Sequence, residues 1–197
     1  VEDDFIKAVE VLINLVEKRK GELSHIRSFK MNFPFVNKPS TIWDILEDEW
    51  EEKFLPSKRV TDALILGQVD NYLKIQEGVK RGWSPAYYGD AVNTDFLGSK
   101  SRRGRIGSQI ANTLTATTSA NQSVVLKKDS GELFLRRLTP LEYWRLQGFT
   151  DEQFYLAQEV NSNAQLYKQA GNSISIPVLV ELIKNIKSLP FKKDVEE

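Results

Sequence analysis

The sequence contains no cysteine, and this absence excludes disulfide bonds and metal sites built on cysteine ligands. A single histidine, His25, leaves no histidine cluster for a metal centre or for a serine–histidine pair, so we expect His25 to be structural. No apolar run approaches the roughly 18 residues that a membrane-spanning helix requires. The opening VEDDF has none of the basic and apolar order of a signal peptide. We therefore expect a cytoplasmic protein that binds no metal and no membrane.

An excess of charge of either sign is also missing. The 27 basic residues balance 27 acidic residues, which argues against a general polyanion-binding protein. The charges are unevenly distributed, however, because residues 101–137 carry seven basic and two acidic residues, a net charge of +5. The densest cluster is Arg102-Arg103-Gly104-Arg105. Guanidinium groups donate hydrogen bonds in pairs to phosphate oxygens. The cluster is therefore either a phosphate-binding loop or an ordinary solvated surface.

The length of 197 residues and the 41% hydrophobic content suffice for one domain or two small ones with a packed core. Apolar residues at helical spacing predict an amphipathic helix over Asp4–Lys20, which packs either on the chain's own core or on another chain. A second helix is predicted over Thr41–Phe54, with Thr41 and Asp44 in a capping pattern. Its acidic run, Glu47 to Glu52, is interpreted as a solvated face that repels phosphate.

The middle of the chain mixes loop signals with strand signals. Residues 81–109 contain five glycines, and this composition is typical of a loop that approaches a ligand closely. The threonine-rich stretch Ala111–Thr118 is predicted to be β-structure. A β-hairpin is predicted from Val124–Leu126 and Leu133–Arg136, which flank a Lys-Asp-Ser-Gly turn.

The last third contains two blocks with clear signals for where helices begin and end. In the first, RRLTPLEYWRLQGF (residues 136–149), Thr139 is a candidate N-cap, Pro140 suits the first helical position and Glu142 completes a capping box. Gly148 is expected to end this helix. The second block, YKQAGNSISIPVL (residues 167–179), predicts a glycine–asparagine turn followed by an apolar helix from about Ile176 to Ile186.

The two blocks, RxLTPxExxRLQGF and YKQxGNSxxxPVL, resemble the last two conserved motifs of the DNA (cytosine-5)-methyltransferases. Thr150-Asp151 stands where that family usually has Pro-Asp. A Gly-Arg step before a Thr-Leu pair, here Gly104-Arg105 and Thr113-Leu114, is similar to the end of the family's target-recognition region. More weakly, Asn32-Phe33-Pro34 and Asp44 to Glu47 look like the segment after its eighth motif.

The resemblance implies an α+β fold. A small β-rich target-recognition domain with loops is followed by a helical segment, which normally completes an α/β S-adenosylmethionine-dependent methyltransferase domain. The expected divisions are an N-terminal amphipathic helix at 1–24, a DNA-binding target-recognition region at 25–135 and a helical part of the catalytic domain at 136–197.

The resemblance also assigns residues. It implies Arg105 at a DNA phosphate and Thr113 near the backbone of the target nucleotide; Arg102 and Arg103 are added as phosphate contacts from their charge and position. Asn172 and Ser173 are implied beside the S-adenosylmethionine pocket, although Asn172 is alternatively a simple helix cap. The list is completed by two expected structural braces, Glu142 and Arg145.

The family's enzymes attack C6 of cytosine with a cysteine thiolate, and this chain has no cysteine. Its Pro-Cys-Gln, Glu-Asn-Val and glycine-rich cofactor motifs are absent as well. The resemblance therefore implies the DNA-recognition and cofactor-closing part of such an enzyme, of the kind found in bacterial restriction-modification. Its partners are then duplex DNA and a catalytic chain or a missing N-terminal half, and it is inactive alone. The alternatives are a stand-alone DNA-binding module and an inactive remnant.

Overall fold

The computed structural model of the protein describes residues 41–188. The predicted helix Asp4–Lys20, the predicted domain 1–24 and His25 lie outside the described residues. Within the chain, Lys38–Ser175 forms one compact unit, and the final helix belongs to a second unit. The predicted boundary at residue 135 falls inside the last strand of the first unit, Leu133–Arg137.

The compact unit is an α+β structure, as the sequence predicts. Two short 3-10 helices precede seven strands and four α-helices, of which three follow the last strand. In chain order these are the 3-10 helices Ile42–Asp44 and Glu52–Phe54, α1 (Lys58–Leu64), β1 (Ile65–Val69), β2 (Tyr72–Gln76), β3 (Trp83–Tyr87), β4 (Ala91–Asn93), β5 (Ile106–Gly107), β6 (Gln122–Lys127), β7 (Leu133–Arg137), α2 (Pro140–Leu146), α3 (Asp151–Gln158) and α4 (Asn163–Asn172). The second unit contributes α5 (Ile176–Ser188).

The strands form two antiparallel sheets, one in the order β1-β2-β3 and one in the order β5-β4-β6-β7. In strand β6 the first four residues in a row are buried. Since adjacent side chains in a strand point to opposite sides, both faces of the strand are covered. Val124 contacts the core beneath the helices, whereas Val125 contacts the core shared with the three-stranded sheet. The four-stranded sheet is therefore the middle layer of the unit.

Each face of this middle layer has its own hydrophobic core. The core under the three-stranded sheet is small and aliphatic, and its fully or nearly fully buried members come from β2, β3, β4, β6 and β7. The core under the helices is larger and contains most of the buried aromatic side chains. Its buried residues are Ile42, Ile45, Ala91, Ala120, Val124, Leu138, Leu141, Tyr143, Trp144, Phe154, Leu166, Tyr167 and Ala170.

Helix α2 begins as the sequence predicts. The Thr139 backbone N–H donates to Glu142 Oε2 at 2.7 Å, and the Glu142 N–H donates to Thr139 Oγ1 at 3.2 Å, so the capping box is confirmed. Pro140 occupies the first turn. Gly148 follows the helix at a φ of 86°, a conformation that glycine adopts without a Cβ clash.

The capping carboxylate also forms a buried ion pair. Arg136 Nη1 lies 2.8 Å from Glu142 Oε2, and Arg136 Nη2 lies 2.7 Å from Glu142 Oε1. Both side chains are at most 1% exposed. Glu142 Oε1 additionally accepts the backbone N–H of Glu47 at 2.9 Å. One carboxylate thus joins β7, the start of α2 and the segment that follows the first 3-10 helix.

The neighbouring residues of α2 fix the rest of the helical layer. The Tyr143 hydroxyl accepts the N–H groups of Asn121 and Gln122 at 2.6 and 3.0 Å, next to the start of β6. Burial raises the pKa of Tyr143 above its ordinary value, so the phenol stays neutral. Trp144 Nε1 donates to the Leu166 carbonyl in α4, and Arg145 pairs with Asp151 at the start of α3.

The predicted single helix over Thr41–Phe54 is wrong. The chain forms two isolated 3-10 turns there, with an irregular segment between them. The Thr41–Asp44 pattern is present, since Asp44 Oδ2 accepts the Thr41 N–H at 2.6 Å, but it caps only the first turn. Glu47 departs from the predicted solvated acidic face. Its backbone and carboxylate are bonded to Glu142 and Thr139, and these tertiary bonds replace helical ones.

Two predictions about the middle of the chain also need correction, whereas the hairpin is confirmed as β6 and β7. Residues 81–109, predicted as loop, contain β3, β4 and β5. The predicted β-structure at Ala111–Thr118 contains no strand. The Thr113 carbonyl is taken by the side-chain amides of Asn121 and Gln122, so this stretch bonds to side chains rather than to a neighbouring strand.

The glycine–asparagine turn predicted in the second block is likewise wrong. Gly171 and Asn172 form the last turn of α4, and the break in the chain comes at Ser173–Ser175. The apolar helix predicted after it is confirmed as α5, which begins at Ile176. Over residues 41–188 the structure contains no helix that combines the length and the apolar character of a membrane span.

The buried ion pair gives a stability prediction. Glu142→Leu leaves the Arg136 guanidinium buried without its carboxylate, so we expect the free energy of unfolding to fall by about 3–5 kcal/mol in urea denaturation. Asp151→Ala is the matched control, because its partner Arg145 is 25% exposed and the expected loss is about 1 kcal/mol or less.

The double variant Arg136→Met with Glu142→Leu removes both charges together. It should recover part of the stability that Glu142→Leu loses, since no buried charge is left unpaired. An equal or larger loss in the double variant would show that the hydrogen bonds to Thr139 and Glu47, rather than the paired charges, determine the effect.

Candidate nucleic-acid interface

The connection from β4 to β6, residues 94–121, carries the predicted DNA-contacting residues. Within it, Arg105 is completely buried. Its Nη1 donates to the carbonyl oxygens of Asn93 and Asp95 at 3.1 and 2.6 Å, and its Nη2 donates to the Phe96 carbonyl at 2.8 Å. Its own N–H donates to Glu77 Oε1 at 2.8 Å. Burial, and then the nearby charge of Arg102, lower the pKa of this guanidinium.

These bonds place Arg105 inside the loop rather than on its surface. The guanidinium holds a tight turn in which Phe96 has a φ of 55°, a conformation that few non-glycine residues adopt. Phe96 itself is 69% exposed. Arg105 therefore holds the loop together and does not face solvent, so the predicted phosphate contact at Arg105 is not supported, and only Arg102 and Arg103 remain as candidates in this cluster.

Arg102 and Arg103 lie at the edge of the loop. The Arg102 guanidinium sits 5.0 Å from the centroid of the Phe96 ring, and Arg103 Nε donates to the Gly78 carbonyl at 2.9 Å. The backbone of the loop can approach this closely because residue 78 is glycine: a Cβ there would lie 2.3 Å from the backbone carbonyl carbon of Ser101. Arg103 is exposed and Arg102 is half-buried. Both keep guanidinium N–H groups that the loop's backbone does not engage.

Thr113 and Asn172 lie where the end of α4 meets the stretch that precedes β6. Thr113 is exposed, and its carbonyl anchors the stretch to Asn121. Gly171 brings the end of α4 against the same stretch, since a Cβ on Gly171 would lie 2.3 Å from the Thr115 carbonyl oxygen. Asn172 is exposed, whereas the Ser173 hydroxyl donates to the Ala170 carbonyl at 2.9 Å. Asn172 ends α4 and does not cap α5.

The two predicted braces make the contacts expected of structural residues. Glu142 has the four bonds described above and no exposed surface. Arg145 donates to both carboxylate oxygens of Asp151 at 2.8 and 2.6 Å and to the Ile45 carbonyl at 3.0 Å. The hydrogen bonding from the Arg145 guanidinium to Asp151, together with the positive charge of that guanidinium, holds the pKa of Asp151 below its ordinary value.

Comparison with known proteins now decides the family. The sequence profile of the C-5 cytosine-specific DNA methylases matches residues 10–188, which is most of the chain. The chain belongs to the C-5 cytosine-specific DNA methylase family. The two closing blocks are thereby confirmed as family motifs.

The curated relatives are methyltransferases of Bacillus phages and of bacteria. The orphan methyltransferase M.SPBetaI of Bacillus phage SPbeta is 28% identical over 227 residues, which cover 91% of this chain and 49% of the relative. The type II methyltransferase M2.ScrFI of Lactococcus lactis subsp. cremoris is 33% identical over 144 residues, 73% of this chain and 32% of the relative. The orphan methyltransferase M.Rho11sI of Bacillus phage rho11s is 57% identical over 53 residues, 26% of this chain and 10% of the relative. The chain spans about half the length of the first of these proteins.

In this member of the family, the net charge of +5 counted over residues 101–137 is larger than the positive charge that these residues expose at the surface. Of the basic residues in the stretch 101–137, Arg105 and Arg136 are completely buried, and Lys128 is paired with Glu132. Sequence reasoning also missed a set of surface aromatic residues on β2 and β3, because it treated Trp83 and Tyr87 as loop residues. The alternation of Leu73 and Ile75 with Tyr72, Lys74 and Gln76 indicates a strand from sequence alone, but the rings of β3 that share a face with Tyr72 follow only from the strand register.

Within residues 41–188 no group of three or more histidine, aspartate or glutamate side chains is arranged to hold a metal ion.

The contrast between Arg105 and Arg103 is testable. Arg105→Ala leaves three backbone carbonyls without a donor inside the protein, so we expect it to lower the free energy of unfolding by about 3 kcal/mol. Arg103→Ala, on the exposed edge of the same loop, is the matched control and should change stability by about 0.5 kcal/mol or less. Equal losses in urea denaturation would contradict the loop-holding function of Arg105.

Proposed function

We propose that this chain is the DNA-recognition and cofactor-closing part of a DNA (cytosine-5)-methyltransferase. The observation that carries the proposal is that the family match spans residues 10–188, yet these 197 residues contain no cysteine. The thiolate that attacks cytosine in this family must then come from elsewhere, either from a second chain or from another part of a longer one. The complete enzyme transfers a methyl group to C5 of cytosine in duplex DNA.

The DNA-contacting residues of the proposal are Arg102, Arg103 and Thr113. Arg103 and Thr113 are exposed, and Arg102 is half-buried against Phe96. The arginines offer N–H groups to phosphate oxygens, and such contacts supply affinity that does not depend on base sequence. The loop is rigidly held by Arg105, so these groups are oriented before DNA arrives, which reduces the entropy lost on binding.

The methyl donor of the proposed enzyme is S-adenosylmethionine. Asn172 presents an exposed amide at the end of α4, which suits the carboxylate of that molecule; the Ser173 hydroxyl donates to the Ala170 carbonyl, so its oxygen is left to accept from a ribose hydroxyl. Two residues form only one wall of a pocket, so the rest of the site belongs to the catalytic part. In the complete enzyme the donor supplies the methyl group, while these residues bind and orient it.

Exposed apolar side chains at and just after the end of α3 are the feature that the proposed catalytic part would cover. Tyr155 and Leu156 in the helix and Val160 after it are 52%, 68% and 83% exposed. Three such side chains within six residues suit a surface that another domain or chain covers. Such a surface is not needed by a stand-alone DNA-binding module, which is the alternative function for this chain.

The decisive experiment is reconstitution. The purified chain is mixed with a family catalytic half that carries the Pro-Cys motif, and methyl transfer from labelled S-adenosylmethionine to DNA is measured. We expect no transfer with either part alone and transfer with both. If catalytic halves from the same genome never restore transfer while the chain still binds DNA, the stand-alone module is correct. If the chain also fails to bind DNA, it is an inactive remnant.

A variant of Arg103 tests the proposed phosphate contact separately. Arg103→Ala should weaken duplex binding at every DNA sequence and reduce the slope of log affinity against log salt concentration by about 0.9, the value for one lost phosphate contact. Arg59→Ala, an exposed arginine on α1, is the matched control and should leave the slope unchanged. Fluorescence anisotropy over a salt series measures both slopes.

A further inference from the structure

The two faces of the three-stranded sheet differ sharply in chemistry. Leu73, Ile75 and Ala86 point into the aliphatic core and are at most 2% exposed. The opposite face carries the alternate residues, since β2 and β3 pair Tyr72 with Tyr87, Lys74 with Pro85 and Gln76 with Trp83. We call the surface formed by Tyr72, Lys74, Arg81, Trp83 and Tyr87 the aromatic sheet face.

The Tyr72 ring lies beside both of the other aromatic rings of this face. The Tyr72 and Trp83 rings are nearly parallel, with centroids 6.0 Å apart and an interplanar angle of 13°. The Tyr87 ring lies 5.6 Å from that of Tyr72, at an angle of 56°. Cross-strand aromatic pairs stabilise a sheet on their own. Tyr87, however, is 45% exposed, so much of its surface is not used for packing within the chain.

Two cations are held against these rings. The Arg81 guanidinium lies 4.3 Å from the Trp83 ring centroid, and Lys74 Nζ lies 5.0 Å from it. Arg81 Nε also donates to the Trp83 carbonyl at 2.7 Å, which fixes the side chain. Among the described residues, no carboxylate is within ion-pair distance of either cation. The acidic residue of the β1–β2 turn, Asp70, lies at the opposite end of β2.

The aromatic sheet face is also joined to the loop that carries Arg102, Arg103 and Arg105. Gln76, next to Trp83 across the strands, donates from Nε2 to the Ser99 carbonyl at 3.2 Å. Arg103 reaches the Gly78 carbonyl just after β2. These two bonds attach the loop that carries Arg103 to the end of β2, the end of the sheet where Arg81 lies; the one acidic residue between Gln76 and Gly78, Glu77, is buried and accepts the Arg105 N–H.

We propose that the aromatic sheet face binds single-stranded nucleic acid, as a second nucleic-acid surface beside the proposed duplex contact. Lys74 and Arg81 offer donors for phosphate oxygens, and Tyr87 offers ring surface for an unpaired base. The aromatic component favours a single strand over a duplex, because in a duplex the faces of the bases are covered by their neighbours. Cations without carboxylate partners beside aromatic rings fit a polyanion whose bases are unstacked.

The first test measures binding of a fluorescein-labelled oligothymidylate to the full chain by anisotropy at low salt, without methyl donor or catalytic half. We expect saturable binding that Tyr87→Leu weakens about tenfold, the effect of losing one stacked base. Tyr155→Leu removes an equally exposed tyrosine ring from α3 and should bind as the unmodified chain does. Absence of saturable binding by the unmodified chain, or equal affinity in Tyr87→Leu, overturns the proposal.

The second test removes the cations. Lys74→Gln with Arg81→Gln should reduce the salt slope for oligothymidylate by about 1.4, because each phosphate contact to a single strand contributes about 0.7. Lys58→Gln with Arg59→Gln removes the same charges from the exposed surface of α1 and should leave the slope unchanged. Equal slopes in both double variants contradict the proposal. Far-ultraviolet circular dichroism confirms that each variant is folded, and duplex binding measured in parallel separates this surface from the proposed duplex contact.

Discussion

The compact unit depends on one buried ion pair, Arg136 with Glu142. Removing two charges from water is costly, and the cost is offset here because both Glu142 oxygens are saturated by four hydrogen bonds at 2.7 to 2.9 Å. The carboxylate has to accept from a strand residue, from its own N-cap and from the distant Glu47 at the same time. This requirement fixes the angle at which α2 leaves β7. The positions of Tyr143, Trp144 and Arg145, and through them α3, α4 and the start of β6, follow from that angle.

Local sequence signals predicted the parts of this arrangement that local physics controls. The capping box at Thr139 and Glu142 and the hairpin of β6 and β7 are decided within a few residues, so they were predictable. Thr150 also forms a local capping box with Gln153 at the start of α3, although no helix start was predicted there. The helix predicted at Thr41–Phe54 failed because Glu47 bonds to residues more than 90 positions away. No local pattern reports such a partner.

The candidate site shows the same division. Strand β3 was hidden by Pro85, which a central strand excludes but which an edge strand tolerates. Net charge identified the loop at residues 102–105 as a candidate site, but charge does not distinguish a guanidinium that faces solvent from one enclosed by its own backbone. Arg105 is enclosed because three carbonyl oxygens of the turn at 93–96 converge on it, and that convergence exists only in the folded chain. The aromatic sheet face on β2 and β3 could be found only once the strand register was known.

The residues that identify the family in this chain are thus mainly residues that hold it together. Glu142 and Arg145 act through contacts with other elements, and Gly171 matters because its lack of a Cβ lets α4 approach Thr115. Family membership therefore follows from the scaffold, whereas the methyl transfer proposed above requires a cysteine that these 197 residues do not contain.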